Sequence, residues 1–178
     1  MAGHNKWAQI KHKKAITDAK KSKIFSKRVR YIATEARLSG GKESPGLRSA
    51  IEKARKVNMP SDNIERAIKK ASEGGAEMSA ITYEAYGPGG VGIIIDTLTD
   101  SRNRTAQEIK FILSENGTSL GAIGSAAWAF KKEITPEGLI WTATSSVSPS
   151  DEELALLDKL VEELEENDDV QDVYTNAE

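Results

Sequence analysis

The sequence predicts an α+β protein, in which a basic three-helix domain precedes an acidic ferredoxin-like domain of order β-α-β-β-α-β. Two patterns indicate this class: helical apolar periodicity in the first part, and alternating strand-like and helical segments afterwards. Charge divides the chain at the same point. Residues 1–73 hold 19 Lys and Arg against 7 Asp and Glu, whereas residues 74–178 hold 6 against 20. We therefore predict domains at residues 1–75 and 76–178.

The first helix is predicted from about Lys14 to Leu38, a stretch without proline or glycine. Its apolar stripe consists of Phe25, Val29, Ile32 and Ala36. A cationic face lies about 200° around the axis. That face consists of Lys20, Lys23, Lys27, Arg30 and Arg37. Such a face is either simply solvated or binds a polyanion, and the scarcity of carboxylates nearby favours the polyanion.

Two shorter helices complete the basic domain. Ser44 and Pro45 predict an N-cap followed by proline at the first helical position. The apolar stripe of this second helix consists of Leu47, Ala50, Ile51, Ala54 and Val57. Asp62 and Glu65 predict a capping box that opens the third helix, which ends at the Gly74-Gly75 pair. Its apolar stripe consists of Ile64, Ala67, Ile68 and Ala71.

The acidic half alternates β-rich and helical segments. The predicted strands are Ile81–Tyr86, Val91–Leu98, Ala127–Lys131, Leu139–Thr144 and Val170–Tyr174. The predicted helices run from Ser101 to Asn116 and, capped by Ser148, from about Pro149 to Glu166. The run Gly87-Pro88-Gly89-Gly90 lacks the lysine and the following helix of a phosphate-binding loop. We therefore interpret it as a turn between two strands.

A basic arm with one aromatic residue precedes the first helix. Its candidate contacts are Lys6, Trp7, Lys11, His12, Lys13 and Lys14. Trp7 either stacks on a base or anchors the arm on the helices. A second candidate site is the first turn of the helix after Thr99, where Arg102 and Arg104 stand against the helix dipole. These arginines either bind an anion or pair with Asp96, Asp100 or Glu108. 

Composition argues against several other classes of function. The chain has no cysteine, so disulfides and thiolate chemistry are excluded. Its two histidines, His4 and His12, lie in the basic arm without an acidic cluster, so we expect neither a metal site nor a catalytic triad. No run of 18 apolar residues occurs, and the N-terminus does not have the pattern of a secretory signal. We expect a cytoplasmic protein that binds no cofactor, membrane or small-molecule substrate.

Four long segments carry a resemblance to a known family. They are residues 1–14, with Gly3-His4-Asn5-Lys6-Trp7; 50–68, with Asn58-Met59-Pro60-Ser61-Asp62; 83–105, with Asp100-Ser101-Arg102-Asn103-Arg104; and 168–177, with Asp172-Val173-Tyr174-Thr175-Asn176. Together they resemble the YebC/PmpR proteins, relatives of the mitochondrial translational activator of cytochrome c oxidase subunit one. The resemblance implies a non-enzymatic protein. It implies either a DNA-binding transcriptional regulator or a ribosome-associated factor that relieves stalling, notably at proline-rich stretches.

The sequence departs from this family in two places. Members usually carry a third domain after the strand that matches Trp128–Lys132, but here Ile134–Gly138 leads almost directly into Leu139. We therefore predict that the third domain is absent between about residues 132 and 139. The segment Ser44-Pro45-Gly46 also lacks the arginine that often follows this proline in the family. The basic domain and the Arg102/Arg104 turn keep the family pattern.

The charge pattern and the resemblance together favour a nucleic-acid-binding protein that binds ribosomal RNA and relieves stalled elongation. The alternative is a transcriptional regulator that binds duplex DNA. A third possibility is a protein-interaction module whose acidic face docks a basic partner. The predicted nucleic-acid contacts are Lys6, Trp7, Lys11, His12, Lys13, Lys14, Lys20, Lys23, Lys27, Arg30, Arg102 and Arg104.

Overall fold

The structure, a computed structural model, describes residues 18–136 and 138–178. The described chain divides into two compact units. Residues 18–78 together with 132–140 form what we call the helical unit, and residues 79–131 together with 141–178 form the sheet unit. The predicted domain division at residue 75 stays a prediction. In the described ranges, no helix is long and apolar enough to cross a membrane.

The helical unit contains three helices, α1 (Asp18–Leu38), α2 (Pro45–Lys56) and α3 (Ser61–Lys70). The predicted N-cap of α2 is confirmed, because the Ser44 hydroxyl accepts a hydrogen bond from the backbone N–H of Leu47 at 3.1 Å. The predicted apolar stripes meet in one core. Its buried members are Ile32, Ala36, Leu47, Ala50, Ala54, Met59, Ile64 and Ala67. The three-helix prediction is therefore confirmed.

Two helix caps differ from the prediction. Helix α3 begins at Ser61, with Pro60 in the N-cap position and no side-chain cap, so the predicted capping box of Asp62 and Glu65 is wrong. Asp62 already lies inside the first turn, where it cannot serve as the cap. The last helix of the chain is capped by Ser150 rather than Ser148, through a capping box with Glu153. A prediction from residue type alone misses such shifts because several Ser and Asp residues compete near each helix start.

The sheet unit is built on three antiparallel strands in the order β1 (Ser79–Tyr86), β2 (Gly92–Thr99) and β5 (Val170–Thr175). Helices α4 (Arg102–Glu115) and α5 (Asp151–Glu166) supply its other large elements. Their buried side chains form one core with one face of the sheet. Members of this core include Ile93, Ile95, Ile109, Leu113, Leu154, Leu157, Leu160, Leu164 and Val173. 

The remaining strands pair only with each other. Strands β3 (Phe130–Thr135) and β4 (Gly138–Ala143) form a separate two-stranded sheet. The α+β class with N-terminal helices is confirmed, but the strands are grouped three and two, unlike the single sheet of a ferredoxin-like domain. The start of β3 lies over the main sheet rather than at its edge: Phe130 packs with Ala126 and Ala129 against Ile94, on the face of β2 that points away from the helices. The strand predicted from Ala127 begins at Phe130, after a 3₁₀ turn.

The glycine-rich connection between β1 and β2 is a turn, as predicted. A short 3₁₀ turn spans Pro88–Gly90, and the N–H of Gly87 donates to the carbonyl of Val91 at 2.8 Å. Gly89 has φ of 73°, a left-handed conformation that favours glycine. The glycines therefore serve the chain reversal.

Candidate nucleic-acid interface

Three of the predicted cations of helix α1, Lys20, Lys23 and Arg30, lie on the side away from its packed stripe. Lys20 is exposed, whereas Lys23 and Arg30 are half-buried. Phe25 and Val29, on the other side, pack against the core of the helical unit. For these three cations the helix has the two-sided character that the sequence predicted. The other predicted contacts of this region lie outside the described residues: Lys6, Trp7, Lys11, His12, Lys13 and Lys14.

Lys27 and Arg37 differ from the other cations of α1. Lys27 is only 8% exposed, which leaves its ammonium group little surface for an external phosphate. Arg37 donates to the backbone carbonyls of Ala76 at 3.0 Å and Gly74 at 3.2 Å. Its guanidinium therefore fastens the segment that follows α3.

The cations of α2 largely have partners inside the helical unit. Arg48 forms an ion pair with Glu43 at 2.6 Å, and Arg55 pairs with Glu52 at 2.6 Å. Lys53 is buried, and its ammonium nitrogen lies 5.8 Å from the centre of the Tyr31 ring. Residues 18–78 nevertheless hold 15 Lys and Arg against 8 Asp and Glu, so the unit keeps a positive excess. 

Arg104 lies in the sheet unit and is held by two carboxylates. Its Nη2 atom lies 2.8 Å from Oδ1 of Asp100 and 3.0 Å from Oδ2 of Asp169. The hydrogen bonds that Arg104 donates to Asp169 and, to a lesser extent, to Asp100 raise its pKa above the ordinary value. The sequence offered Asp100 as one possible partner, and the structure adds Asp169. The guanidinium is therefore a structural partner of these acids.

Asp169 is the centre of this network. It is 2% exposed, and one carboxylate oxygen also accepts a hydrogen bond from the hydroxyl of Thr105 at 2.7 Å. The hydroxyl of Thr99 accepts from the N–H of Ser101 at 2.9 Å, which shapes the entry into α4. Much of the segment from Thr99 to Thr105 thus surrounds a buried carboxylate. Arg102 is exposed, and its Nε lies 3.4 Å from the hydroxyl of Ser79.

The sequence did not reveal a second buried carboxylate, that of Glu84 on β1. Its side chain is 7% exposed and accepts N–H hydrogen bonds from Gly124 at 2.7 Å and from Ala126 and Ala127 at 2.8 Å. Burial alone would raise the pKa of Glu84, but these three hydrogen bonds outweigh it and hold the pKa below its ordinary value. The carboxylate thereby fixes the segment 117–129, which we call the Glu84 loop.

The Glu84 loop carries two strongly exposed apolar side chains. Ile123 is 99% exposed and Trp128 is 65% exposed. The indole N–H of Trp128 donates to the hydroxyl of Tyr86 at 3.0 Å, and that hydroxyl donates to the carbonyl of Ser125. A sequence signal existed for this feature: residues 117–132 contain Trp128 and two lysines but no carboxylate, within an otherwise acidic half.

The chain is thus an α+β protein with a basic helical unit and a sheet unit that contains two buried carboxylates, Glu84 and Asp169. Residues 5–74 match the TACO1/YebC protein N-terminal domain. Residues 78–135 and 131–177 match the TACO1/YebC second and third domain. The chain therefore belongs to the TACO1/YebC family. The absence of the family's third domain stays a prediction.

Close relatives and one solved structure agree with this assignment. The chain is 50% identical to a probable transcriptional regulatory protein of Fervidobacterium nodosum, covering 96% of this chain and 68% of that protein. It is 48% identical to a probable transcriptional regulatory protein of Chlorobaculum parvum, covering 95% and 67% respectively. A crystal structure of a conserved hypothetical protein from Aquifex aeolicus superposes with a TM-score of 0.78 at 34% identity, covering 97% of this chain and 96% of that one. The relatives are thus named as regulatory proteins, not as enzymes.

Proposed function

We propose that this protein is a non-enzymatic RNA-binding factor that docks on the ribosome and relieves stalled elongation. The observation that supports it best is the two-sided helix α1, with Lys20 and Lys23 on the side opposite to the packed stripe. A positively charged helix face attracts the phosphate backbone and gains free energy from released counterions. The names of the relatives support nucleic-acid binding at the level of the family.

The sheet unit has a different part in this proposal. Its acidic composition repels a polyanion, so the backbone contact falls mainly on the helical unit. Arg102 remains a candidate for a second phosphate contact because it is exposed. Arg104 supports the site indirectly, by holding the first turn of α4 to Asp169. Lys27, with 8% exposure, has no direct phosphate contact in this proposal.

The test is co-sedimentation with ribosomes through a sucrose gradient at near-physiological salt. The double charge reversal K20E/K23E changes the α1 face. The matched control K110E/K159E applies the same change in net charge to two exposed lysines of the sheet unit. The parent and the control are expected to travel with ribosomes, while K20E/K23E stays at the top of the gradient.

Salt dependence gives a second readout. If two phosphate contacts are lost, the slope of log K against log salt for an RNA fragment should flatten by about 1.5. Equal slopes for K20E/K23E and the parent would mean that the α1 face is only solvated. The proposal would then fail even if the protein still sedimented with ribosomes.

The second candidate is a transcriptional regulator that binds duplex DNA. The names of the bacterial relatives favour it. A parent protein that stays at the top of the gradient but shifts duplex DNA with a defined footprint would support this candidate. A parent that sediments with ribosomes and protects no particular DNA sequence would support the translation factor instead.

A further inference from the structure

Trp128 is an unusual surface residue because its polar atom already has a partner. Its indole N–H donates to the hydroxyl of Tyr86, and Tyr86 in turn donates to the carbonyl of Ser125. What remains exposed of Trp128 is therefore the apolar surface of the ring, with 65% of the residue accessible. The hydrogen bond also fixes the orientation of the ring before any ligand arrives.

The segment that carries Trp128 is held at several points. Three backbone N–H groups of the Glu84 loop donate to the Glu84 carboxylate. The N–H of Gly121 donates to the carbonyl of Glu84 at 2.7 Å, and Leu120 forms a β-bridge with Ala85. An exposed aromatic on a fixed loop loses little conformational entropy on binding, which favours recognition.

The charge around Trp128 fits a nucleic acid. Residues 117–132 contain no Asp or Glu, although residues 74–178 as a whole hold 20 acidic side chains. Lys131 follows Trp128 in the same unit and is exposed. The stretch around the exposed tryptophan thus brings no carboxylate of its own, and the nearby Glu84 carboxylate is buried and bonded to three backbone N–H groups, so a phosphate backbone meets little local repulsion.

The size of the exposed apolar surface also argues for a base. A stable protein interface buries about 800 Å² on each partner. The Glu84 loop offers Trp128 and the aliphatic Ile123, while its other exposed residues are small: Gly117, Ser119, Ala122 and Gly124. A single aromatic ring suits one unpaired base, because every base has a π-face that stacks without sequence preference.

We propose that Trp128 is a stacking platform for an unpaired base of single-stranded RNA. This inference rests on the proposed RNA-binding function and adds a contact on the sheet unit that recognises unpaired nucleotides. Bases inside a duplex are stacked on each other and do not reach a surface tryptophan. The platform therefore favours single-stranded RNA over duplex RNA.

The experiment compares the affinity of full-length variants for a 12-nucleotide single-stranded RNA, taken as roughly one site size, and for the corresponding RNA duplex. W128L keeps an apolar side chain but removes the ring, and W128F keeps a ring. The matched control is F111L, since Phe111 is an aromatic residue of similar exposure, 66%, on α4. Circular dichroism and thermal melting verify that each variant is folded.

W128L is expected to weaken binding to single-stranded RNA about tenfold, the effect typical of one lost base stack, and to leave duplex binding unchanged. W128F is expected to keep most of the affinity, and F111L all of it. The inference is overturned if W128L binds single-stranded RNA as tightly as the parent, or weakens both RNAs equally. If Trp128 were instead part of an apolar protein-docking site, W128L would leave the affinity for both RNAs unchanged.

A second measurement separates this inference from the proposed function. In K20E/K23E, which lacks the basic α1 contact, single-stranded RNA at high concentration is expected to quench the Trp128 emission. That emission is the difference in fluorescence between K20E/K23E and the same protein with W128L added. Quenching there supports the platform whatever the outcome of the ribosome experiment. If the parent binds RNA but its Trp128 emission is never quenched, the platform fails while the proposed function stands.

Discussion

Arg104 and Asp169 join two parts of the sheet unit that lie 65 residues apart in the chain, with Nη2 of Arg104 3.0 Å from Oδ2 of Asp169. The carboxylate is 2% exposed, whereas nearly half of the arginine side chain is accessible. The pair therefore compensates a buried charge at the place where α4 begins. A cation in the first turn of a helix opposes the helix dipole, and for Arg104 the buried Asp169 carboxylate explains its presence there.

The Arg104–Asp169 pair predicts an unequal effect of its two single substitutions. R104A leaves a buried carboxylate without its cation, whereas D169N removes the charge and leaves an accessible guanidinium. We expect R104A to lower the urea midpoint of unfolding more than D169N, and R104A/D169N to be more stable than R104A. The measurement is a double-mutant cycle by urea denaturation. Additive effects, or a larger loss for D169N, would contradict a structural pair.

The Glu84 loop predicts a pH-dependent stability. Because the pKa of Glu84 in the fold lies below its ordinary value of 4.5, the carboxylate stabilises the fold at pH values above 4.5. This stabilisation is lost as the pH falls through the lowered folded value. E84Q is expected to cost about 2 kcal/mol at neutral pH, since it removes hydrogen bonds to a charged acceptor. 

Thermal unfolding of the parent and E84Q from pH 7 to pH 3 measures this effect. The difference between them should shrink on the acidic side of 4.5, where the Glu84 carboxylate of the parent takes up a proton. E115Q, which changes an exposed carboxylate on α4, is the control and should show little difference at any pH. A gap between parent and E84Q that stays constant with pH would show that the Glu84 charge does not hold the loop.

Gly46 predicts a substitution whose effect depends on Glu35. A Cβ atom on Gly46 would overlap Oε2 of Glu35, at the end of a side chain that can turn away to admit it. With E35A in place nothing has to move, and G46A should raise stability by roughly 0.5 kcal/mol, the usual benefit of alanine over glycine in a helix. In the parent, where the Glu35 carboxylate must shift, G46A is expected to gain less. Denaturant midpoints of the four proteins measure it, and an equal effect of G46A in both backgrounds would refute the contact.

Gly138 predicts a strong local constraint where β4 begins. It has φ of 105°, and a Cβ there would lie 3.0 Å from the backbone oxygen of Ser49. We expect G138A to cost at least about 2 kcal/mol, from backbone strain together with the close approach. G117A is the matched control, since Gly117 also has a positive φ, of 75°, but nothing lies within 4 Å of its Cβ. 

Thermal melting of G138A and G117A separates strain from contact. A larger loss for G138A is expected, and equal losses would mean that the contact with Ser49 adds nothing. S49A provides a further readout, because the Ser49 hydroxyl accepts a hydrogen bond from the N–H of Leu139 at 2.7 Å. This hydroxyl is buried, and its loss leaves the N–H of Leu139 without that partner.

Local patterns made the helical unit predictable. The stripe of Phe25, Val29, Ile32 and Ala36 repeats with the helical period, and each of these residues packs in the core of the unit. The Ser44 cap depends on residues three positions apart, so it too could be read from the sequence. Where several cap residues stand close together, residue type can select the wrong one: Ser148 was predicted as the cap, and the structure has Ser150.

Contacts between distant residues limited the prediction of the site. Asp100 is four residues from Arg104, close enough for the sequence to offer it as one of three possible partners, whereas Asp169 is 65 residues away and was not among them. Glu84 likewise meets backbone groups 40 to 43 residues later, which no local pattern announces. Strand pairing also joins residues that lie far apart in the chain. The sequence therefore did not predict that β3 and β4 form a sheet separate from β1, β2 and β5.

The β3–β4 hairpin affects any experiment that tests the two units as separate fragments. Residues 132–140 belong to the helical unit, although both flanking stretches belong to the sheet unit. A single cut after residue 78 therefore does not release a whole helical unit, because the fragment lacks the strand segment that donates to Ser49. An isolated helical fragment that binds RNA weakly would reflect this missing piece as much as its lysines. A fair dissection joins residues 132–140 to the fragment through a flexible linker.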